Sequence, residues 1–450
     1  MKFVSLFALL QIGVYCSVLQ AQPTPFGNDF QVNLNTADRQ SSPSATVLGD
    51  GFVVVWTDFG VSPGGDNDSA SVQGRLVDGD GSPVGDQFQV NTHTTGGQGF
   101  VAATSTAGGG FVATWENVNA ADPDRDVRAR VFDSIGNPLG PDFPVNDDVG
   151  IRSTGAQVVG TPFGGFMVTW IVIEVPSFPF ISSIYSRLFD ANGQPGPQFR
   201  VSEDLSYTQG YNSVQRAADG GYIVAWSGED EDFSGILWRH LDASGAPVGT
   251  IRQLNTETTG PQNTPSGIYN PRTGETLFAW NSGFIFQPPV PGSSNIRARR
   301  IGSNGEPIGD DFQVSQSTTT LTLFSDVTVD FFGNYFLVYQ REDQPIPEAW
   351  VGAQWLSPTG QPLGEDLQLN SFTDGLQSAP TIAGPLADGT YLSAWTSDAS
   401  PGDDNSVTSI VARIFRGPPT PALAIPMAST YGLLALALAI ALAGGWLLRR

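Results

Sequence analysis

Outside its two ends the chain carries no blocks of Ala, Leu, Lys and Glu at helical spacing. Its apolar residues come in short runs bounded by Gly, Pro, Asn and Asp, which is the pattern of strands and tight turns. The most regular run ends in a large aromatic residue: Trp56, Trp115, Trp170, Trp226, Trp280, Tyr339 and Trp395. Four residues earlier stand Phe52, Phe111, Phe166, Tyr222, Thr276, Tyr335 and Tyr391, on the same strand face by the period of two. The positions between them, such as Val53 and Val55 or Leu392 and Ala394, are also mostly apolar. A strand apolar on both faces must be covered on both faces.

A Gly-rich turn precedes each aromatic strand, as in Gly49-Asp50-Gly51 or Gly108-Gly109-Gly110, and a short strand such as Ser44 to Leu48 precedes the turn. The two pair as a hairpin. A third strand follows a variable loop and is marked by Arg75, Arg130, Arg187, Arg239, Arg299, Gln354 or Arg413. Turns such as Gly81-Ser82-Pro83 and Gly136-Asn137-Pro138 then lead to a fourth strand, expected at Phe88 to Asn91, Phe143 to Asn146 and their equivalents.

The unit recurs seven times, at intervals of roughly 53–60 residues, and this spacing predicts an all-β, seven-bladed β-propeller of four-stranded antiparallel blades over residues 22–416. The last unit stops at Arg413-Ile414-Phe415-Arg416 without a fourth strand, while Phe30-Gln31-Val32-Asn33 has nothing before it to pair with. Residues 28–33 are therefore expected to complete the last blade and close the ring. An open β-solenoid has no need for these counts to balance.

The ends read differently. Lys2, an apolar run from Phe3 to Val14 and a small residue at Ala21 predict a secretory signal over residues 1–21. Cys16 is the only cysteine, so its removal with the signal leaves no thiol for disulfides or catalysis. Residues 417–426 form a Pro-rich linker, and residues 427–450 carry an apolar run from Tyr431 to Leu448 before Arg449-Arg450. That run predicts a C-terminal transmembrane helix with the arginines in the cytoplasm. Ile425-Pro426-Met427-Ala428-Ser429-Thr430-Tyr431-Gly432, the apolar helix and the terminal Arg pair together resemble exosortase sorting tails of the IPTL/PEP-CTERM type. Met427-Ala428 departs from the Thr-Leu of that pattern and Tyr431 from its Trp. The resemblance implies an exosortase-type processing enzyme as a partner, and handling at the cell envelope.

A net charge of −23, with Lys2 the only lysine, repels nucleic acid and anionic lipid. The loops between the second and third strands vary most. Alternating Asp122, Asp124 and Asp126 suit calcium, or simply a solvated acidic loop; Val127, where an EF-hand needs Gly, excludes that motif. Two other loops are apolar, with Phe178 and Phe180 in one and Phe284 and Phe286 in the other, and are read as a ligand-binding surface or as packing on their own blades.

Residues present in every unit are read as structural. The arginine series is expected to pair with aromatic faces or with Asp78, Asp133, Asp190 and Asp242, and the series Gln40, Gln98, Gln209, Gln262 and Gln377 to satisfy loop backbone. His93 and His240 are the only histidines, and phosphate loops and nucleophile elbows are absent from the sequence. The expectation is an exported, non-enzymatic surface or biofilm-matrix module that adheres to polysaccharide or protein. The alternatives are a purely structural module and a glycan-cleaving hydrolase or lyase using loop-face carboxylates. The last would need one deep pocket at the ring centre, lined by two or three carboxylates and an Arg or Tyr.

Overall fold

The computed structural model describes residues 22–417 except 61–65, 67, 119–125, 148–151, 176–180, 204–208, 231–232, 284–293, 317–320, 344–347 and 405–406. The described chain is all-β. Its strands form five four-stranded sheets and one eight-stranded sheet, and the latter is two four-stranded units joined by a single parallel bridge, Ser294 to Leu321. Within each unit, consecutive strands pair antiparallel.

The first strands of the units are Gln40–Leu48, Gly97–Ser105, Arg152–Gly160, Gly210–Arg216, Gln262–Asn270, Leu321–Val329 and Gln377–Ala383. Each touches the first strand of the next unit, and Gln377–Ala383 touches Gln40–Leu48, so these strands form a closed circle around an axis. All residues of the second strand Gly51–Asp58 are buried. Its alternation decides what covers each face. Phe52, Val54 and Trp56 pack against Ile410, Ala412 and Ile414 of the preceding unit, and Val53 and Val55 against Phe111, Trp115 and Phe132 of the following one. The aromatic series Trp56, Trp115, Trp170, Trp226, Trp280, Tyr339 and Trp395 is 0% exposed throughout. The core therefore lies between units, as the doubly apolar strands require.

Thr24–Gln31 pairs antiparallel with Ser409–Arg416, with Phe30 opposite Ala412. Two further bonds extend the clasp: the Val32 amide donates to Ile410 O at 2.7 Å, and Asn33 Oδ1 accepts the Ile410 amide at 2.9 Å. The N-terminal segment thus completes the last sheet. Four fourth strands, Pro83–Gln89, Pro195–Arg200, Pro247–Gln253 and Pro307–Gln313, start earlier than expected, because the proline after the glycine turn already pairs, as Pro83 does with Val77, whereas Phe143–Pro144 and Leu367–Gln368 start where expected. Asn91, expected inside the first of these strands, instead accepts the Val72 amide through its side chain at 2.9 Å.

The repeated polar residues tie units together. Arg130 donates from Nε to Gly140 O and from Nη1 to Val90 O of the preceding unit, both at 2.8 Å. Arg75, Arg187, Arg239, Arg299 and Arg413 make the same pair of bonds, for example Arg299 Nη1 to Leu254 O at 2.6 Å and Arg413 Nη1 to Leu369 O at 2.8 Å. The expected pairing with Asp78, Asp133, Asp190 and Asp242 is not formed, because those carboxylates accept turn amides such as Asp80 N, Ile135 N, Asn192 N and Ser244 N. The aromatic half of that expectation holds for Arg130, Arg187 and Arg413, which lie over Phe132, Phe189 and Phe415. Gln40, Gln98, Gln262 and Gln377 donate to loop carbonyls, Gln40 to Ala37 O at 2.9 Å. No helix among the described residues is long and apolar enough to cross a membrane. Residues 1–21 and 418–450, to which the signal, most of the linker and the sorting tail were assigned, lie outside the described residues.

Candidate functional site

Every first strand around the axis slips register near its start, as between Ser41 and Ser44 or between Gly99 and Ala102. The residue inside each slip has a left-handed backbone: Ser42 (φ 55°), Phe100 (54°), Gly155 (62°), Tyr211 (31°), Thr264 (52°), Phe324 (43°) and Ala379 (49°). Bulges of this kind bend a strand and re-aim a side chain. All of these residues line one axial cavity of about 810 Å³.

The bulge amides are held from the preceding unit, by the residue that follows its core aromatic. Ser42 N donates to Thr396 Oγ1 at 3.0 Å, Phe100 N to Thr57 Oγ1 at 3.1 Å, Ala379 N to Gln340 Oε1 at 3.4 Å and Gly155 N to Glu116 Oε1 at 2.7 Å. Two threonines suffice for this task, so the carboxylate at Glu116 exceeds what the bulge requires. The same Oε1 accepts the Thr154 hydroxyl. Glu116 is 5% exposed and lines the cavity. A Cβ at Gly155 would stand 2.8 Å from Ile171 Cδ1, so the tip of that side chain would have to move to admit one. Its carbonyl accepts Asn212 Nδ2 at 2.7 Å, which sets Tyr211 on the other side of Gly155 from Glu116.

Arg152 opens the strand that carries Thr154 and Gly155, and it also lines the cavity. It is exposed and, among the described residues, is the only arginine whose side chain makes no hydrogen bond, ion pair or ring contact. In a chain of net charge −23 an unpaired guanidinium is an anomaly. Three consecutive units thus bring Glu116, Arg152 and Tyr211 to one end of the axis. At the other end Arg216 lies 5.8 Å over the Tyr269 ring.

Asp326, in a different unit, is the second carboxylate of the cavity. Burial pushes it above the usual carboxylate range, against the pull of three donors: Ile382 N at 3.0 Å, Thr381 Oγ1 at 2.8 Å and Val327 N at 2.8 Å. Ser44 accepts the Ala103 amide in the equivalent way at 3.0 Å, so Asp326 is foremost a tie between units.

Phe178, Phe180, Phe284 and Phe286 lie outside the described residues, as do Asp122 and Asp124 of the expected calcium loop. Asp126 is described and pairs with Arg128 Nη1 at 2.9 Å. No group of three or more His, Cys, Asp or Glu with metal-holding geometry occurs among the described residues. Glu116 and Tyr211 were not singled out from the sequence, although Glu116 is the only carboxylate among the residues that follow the core aromatics.

No protein-family model matches the sequence, and no curated protein matches it. Solved structures do. An ulvan lyase of polysaccharide lyase family PL25 matches with TM-score 0.54 and 11% identity, over 86% of this chain and 95% of its own. A protein of unknown function from Dyadobacter fermentans matches with TM-score 0.51 and 11% identity, over 87% of this chain and 98% of its own. The α-L-arabinanase of Penicillium chrysogenum follows with TM-score 0.49 and 8% identity, over 87% and 98%.

The expectation of a non-enzymatic adhesion module is corrected by these findings. It rested on the sorting tail, the repeat and the lack of a catalytic set, and the fold assembles a carboxylate, a phenol and a free guanidinium from separate units in one central cavity, in an architecture shared with a polysaccharide lyase. At these identities the likeness is one of fold: the chain is β-propeller-like, built of four-stranded antiparallel sheets.

Proposed function

We propose that this protein is a glycan-cleaving enzyme acting in the axial cavity of a seven-bladed propeller, exported through its N-terminal signal and held at the cell envelope by its C-terminal tail. The observation that carries the reading is the gathering of Glu116, Tyr211 and the unpaired Arg152 at one end of a cavity of about 810 Å³. Acid–base cleavage of a glycosidic bond needs two proton-transferring groups and a donor that orients the sugar. Glu116 and Tyr211 are placed for the first role and Arg152 for the second. The likeness in fold to an ulvan lyase supports the same substrate class.

The test incubates the protein with ulvan, polygalacturonate and linear arabinan, following new reducing ends and the ultraviolet absorbance of a new sugar double bond. Reducing ends alone indicate hydrolysis, and both signals together indicate elimination. Glu116→Thr is the informative variant, because threonine already holds the bulge amide in two other units. It is expected to melt within a few degrees of wild type and to lose at least 100-fold in rate, the usual scale of a lost acid–base group. Tyr211→Phe is expected to behave alike. A wild-type protein that cleaves none of these glycans, or a Glu116→Thr protein of full activity, overturns the proposal.

A further inference from the structure

The bulge residue of every unit lines the axial cavity, and its chemistry varies around the ring: Ser42, Phe100, Gly155, Tyr211, Thr264, Phe324, Ala379. Aromatic rings stand in the second, fourth and sixth units, with Gly155 and Thr264 between them and Ala379 and Ser42 side by side where the circle closes. The bulge does not require a ring, since Ser, Gly, Thr and Ala occupy it elsewhere in the same molecule. Nor does the core, since Phe100 is 66%, Tyr211 58% and Phe324 45% exposed, whereas the core aromatics are fully buried.

Both features carry a cost. A bulky L-residue in the left-handed region costs about 1–2 kcal/mol, and an exposed ring gives up most of the gain of burial. The two Phe positions are therefore the least economical places in the ring for an aromatic residue. The gaps beside them are kept small, by Gly155 between Phe100 and Tyr211 and by Thr264 between Tyr211 and Phe324. Flat apolar faces separated by gaps, next to the polar Glu116, Arg152 and Asn212, match the two sides of a sugar ring, whose C–H face is apolar and whose hydroxyl edge seeks hydrogen bonds.

We infer that Phe100 and Phe324 are sugar-stacking platforms that, with the ring of Tyr211, hold successive residues of a polysaccharide across the mouth of the axial cavity. The occupant is a chain and not a single sugar, because the platforms are separated by whole units. The inference rests on the proposed glycan-cleaving role and adds to it the binding subsites.

The experiment measures affinity and not turnover, so that the two readings fail separately. Full-length Phe100→Ser and Phe324→Ser, which copy the residue at Ser42, are titrated by calorimetry with ulvan, polygalacturonate and linear arabinan in the Glu116→Thr background. Each loss of a platform is expected to weaken binding of the preferred glycan by roughly 3- to 10-fold at an unchanged melting temperature. Phe324→Trp is expected to restore binding and to report it by a change in fluorescence. Unchanged affinity in both serine variants, or a parent protein that binds none of the three glycans, overturns the inference. Weakened binding in a protein that shows no turnover retains the platforms and removes the enzymatic reading; turnover with unchanged affinity does the reverse.

Discussion

Asp311 shows how single residues decide the balance between burial and charge. Its side chain is fully buried and receives the Glu257 amide at 2.9 Å, the Thr256 amide and Arg297 Nε at 2.6 Å. Burial pushes the carboxyl up, but these donors outweigh it and hold it below the usual range. Asp142 is held down in the same way, by Thr92 N, His93 N and Arg128. A group whose folded pKa is depressed contributes stability above its unfolded pKa and loses it as the pH falls through the folded value. Asp311→Asn should therefore cost about 2 kcal/mol at neutral pH, the scale of hydrogen bonds to a charged group. The gap to wild type should shrink in acid, below about pH 4. Urea unfolding of both proteins at neutral and acid pH checks this, and an equal gap at both pH values contradicts it. Asp326 has the opposite sign, being raised, so its ionisation weakens the fold as pH rises through the interval between its unfolded and folded values.

At the scale of the strand, the arginine clamp and the bulge account for most of what joins one unit to the next. Arg130 reaches two carbonyls on two units with two different nitrogens, a geometry the single ammonium of lysine cannot copy. Arg130→Lys should leave one part-buried carbonyl unsatisfied and destabilise the protein by about 1–3 kcal/mol, read from a shifted urea midpoint at constant slope. A midpoint equal to wild type would show that the charge alone matters. The strands of this clamp were legible in the sequence because their signals are strong and repeated: a strand ending in a large aromatic residue, in most units with a second one four residues earlier, a glycine turn, an arginine. The partner of the arginine was not, because a backbone carbonyl leaves no mark in a sequence. The bulge was hidden for a similar reason. Its left-handed residue is glycine in one unit only, so the conformation is imposed by the pairing and not by residue preference. Glu116 was masked by the repeat itself, since it sits where the other units place Thr57, Ile171, Ser227, Asn281, Gln340 and Thr396. Its charge, rather than its position, was the available signal.

For the whole molecule the decisive fact is closure. A ring of units that each bury their faces on two neighbours has no free face only if the last unit is complete. Here Thr24–Gln31 supplies the missing strand, and the join is reinforced at several points. Asp29 accepts the Ser371 and Phe372 amides at 2.8 and 2.7 Å, Arg413 donates to Gly27 O, and Arg75 of the first unit donates to Val32 O at 2.8 Å. The clasp therefore touches the sheets on both sides of the seam as well as its own. A chain beginning at Ser41 would lose one of the two pairing partners of Ser409–Arg416, a strand that includes the buried Val411, Ala412, Ile414 and Phe415. It would also remove one of the two carbonyls that each of Arg75 and Arg413 donates to. Such a chain should melt at a markedly lower temperature or fail to fold, with one cooperative transition, because opening the seam uncovers both neighbouring units at once. A peptide of residues 22–40 added in excess should raise the melting temperature of any folded fraction, by binding the native state alone. Truncated protein that melts like wild type, or that loses only a minor early transition, would mean that the ring does not depend on its clasp. In that case the axial cavity would not depend on closure either, since Ser42 and Ala379 line it from the two units that the clasp joins.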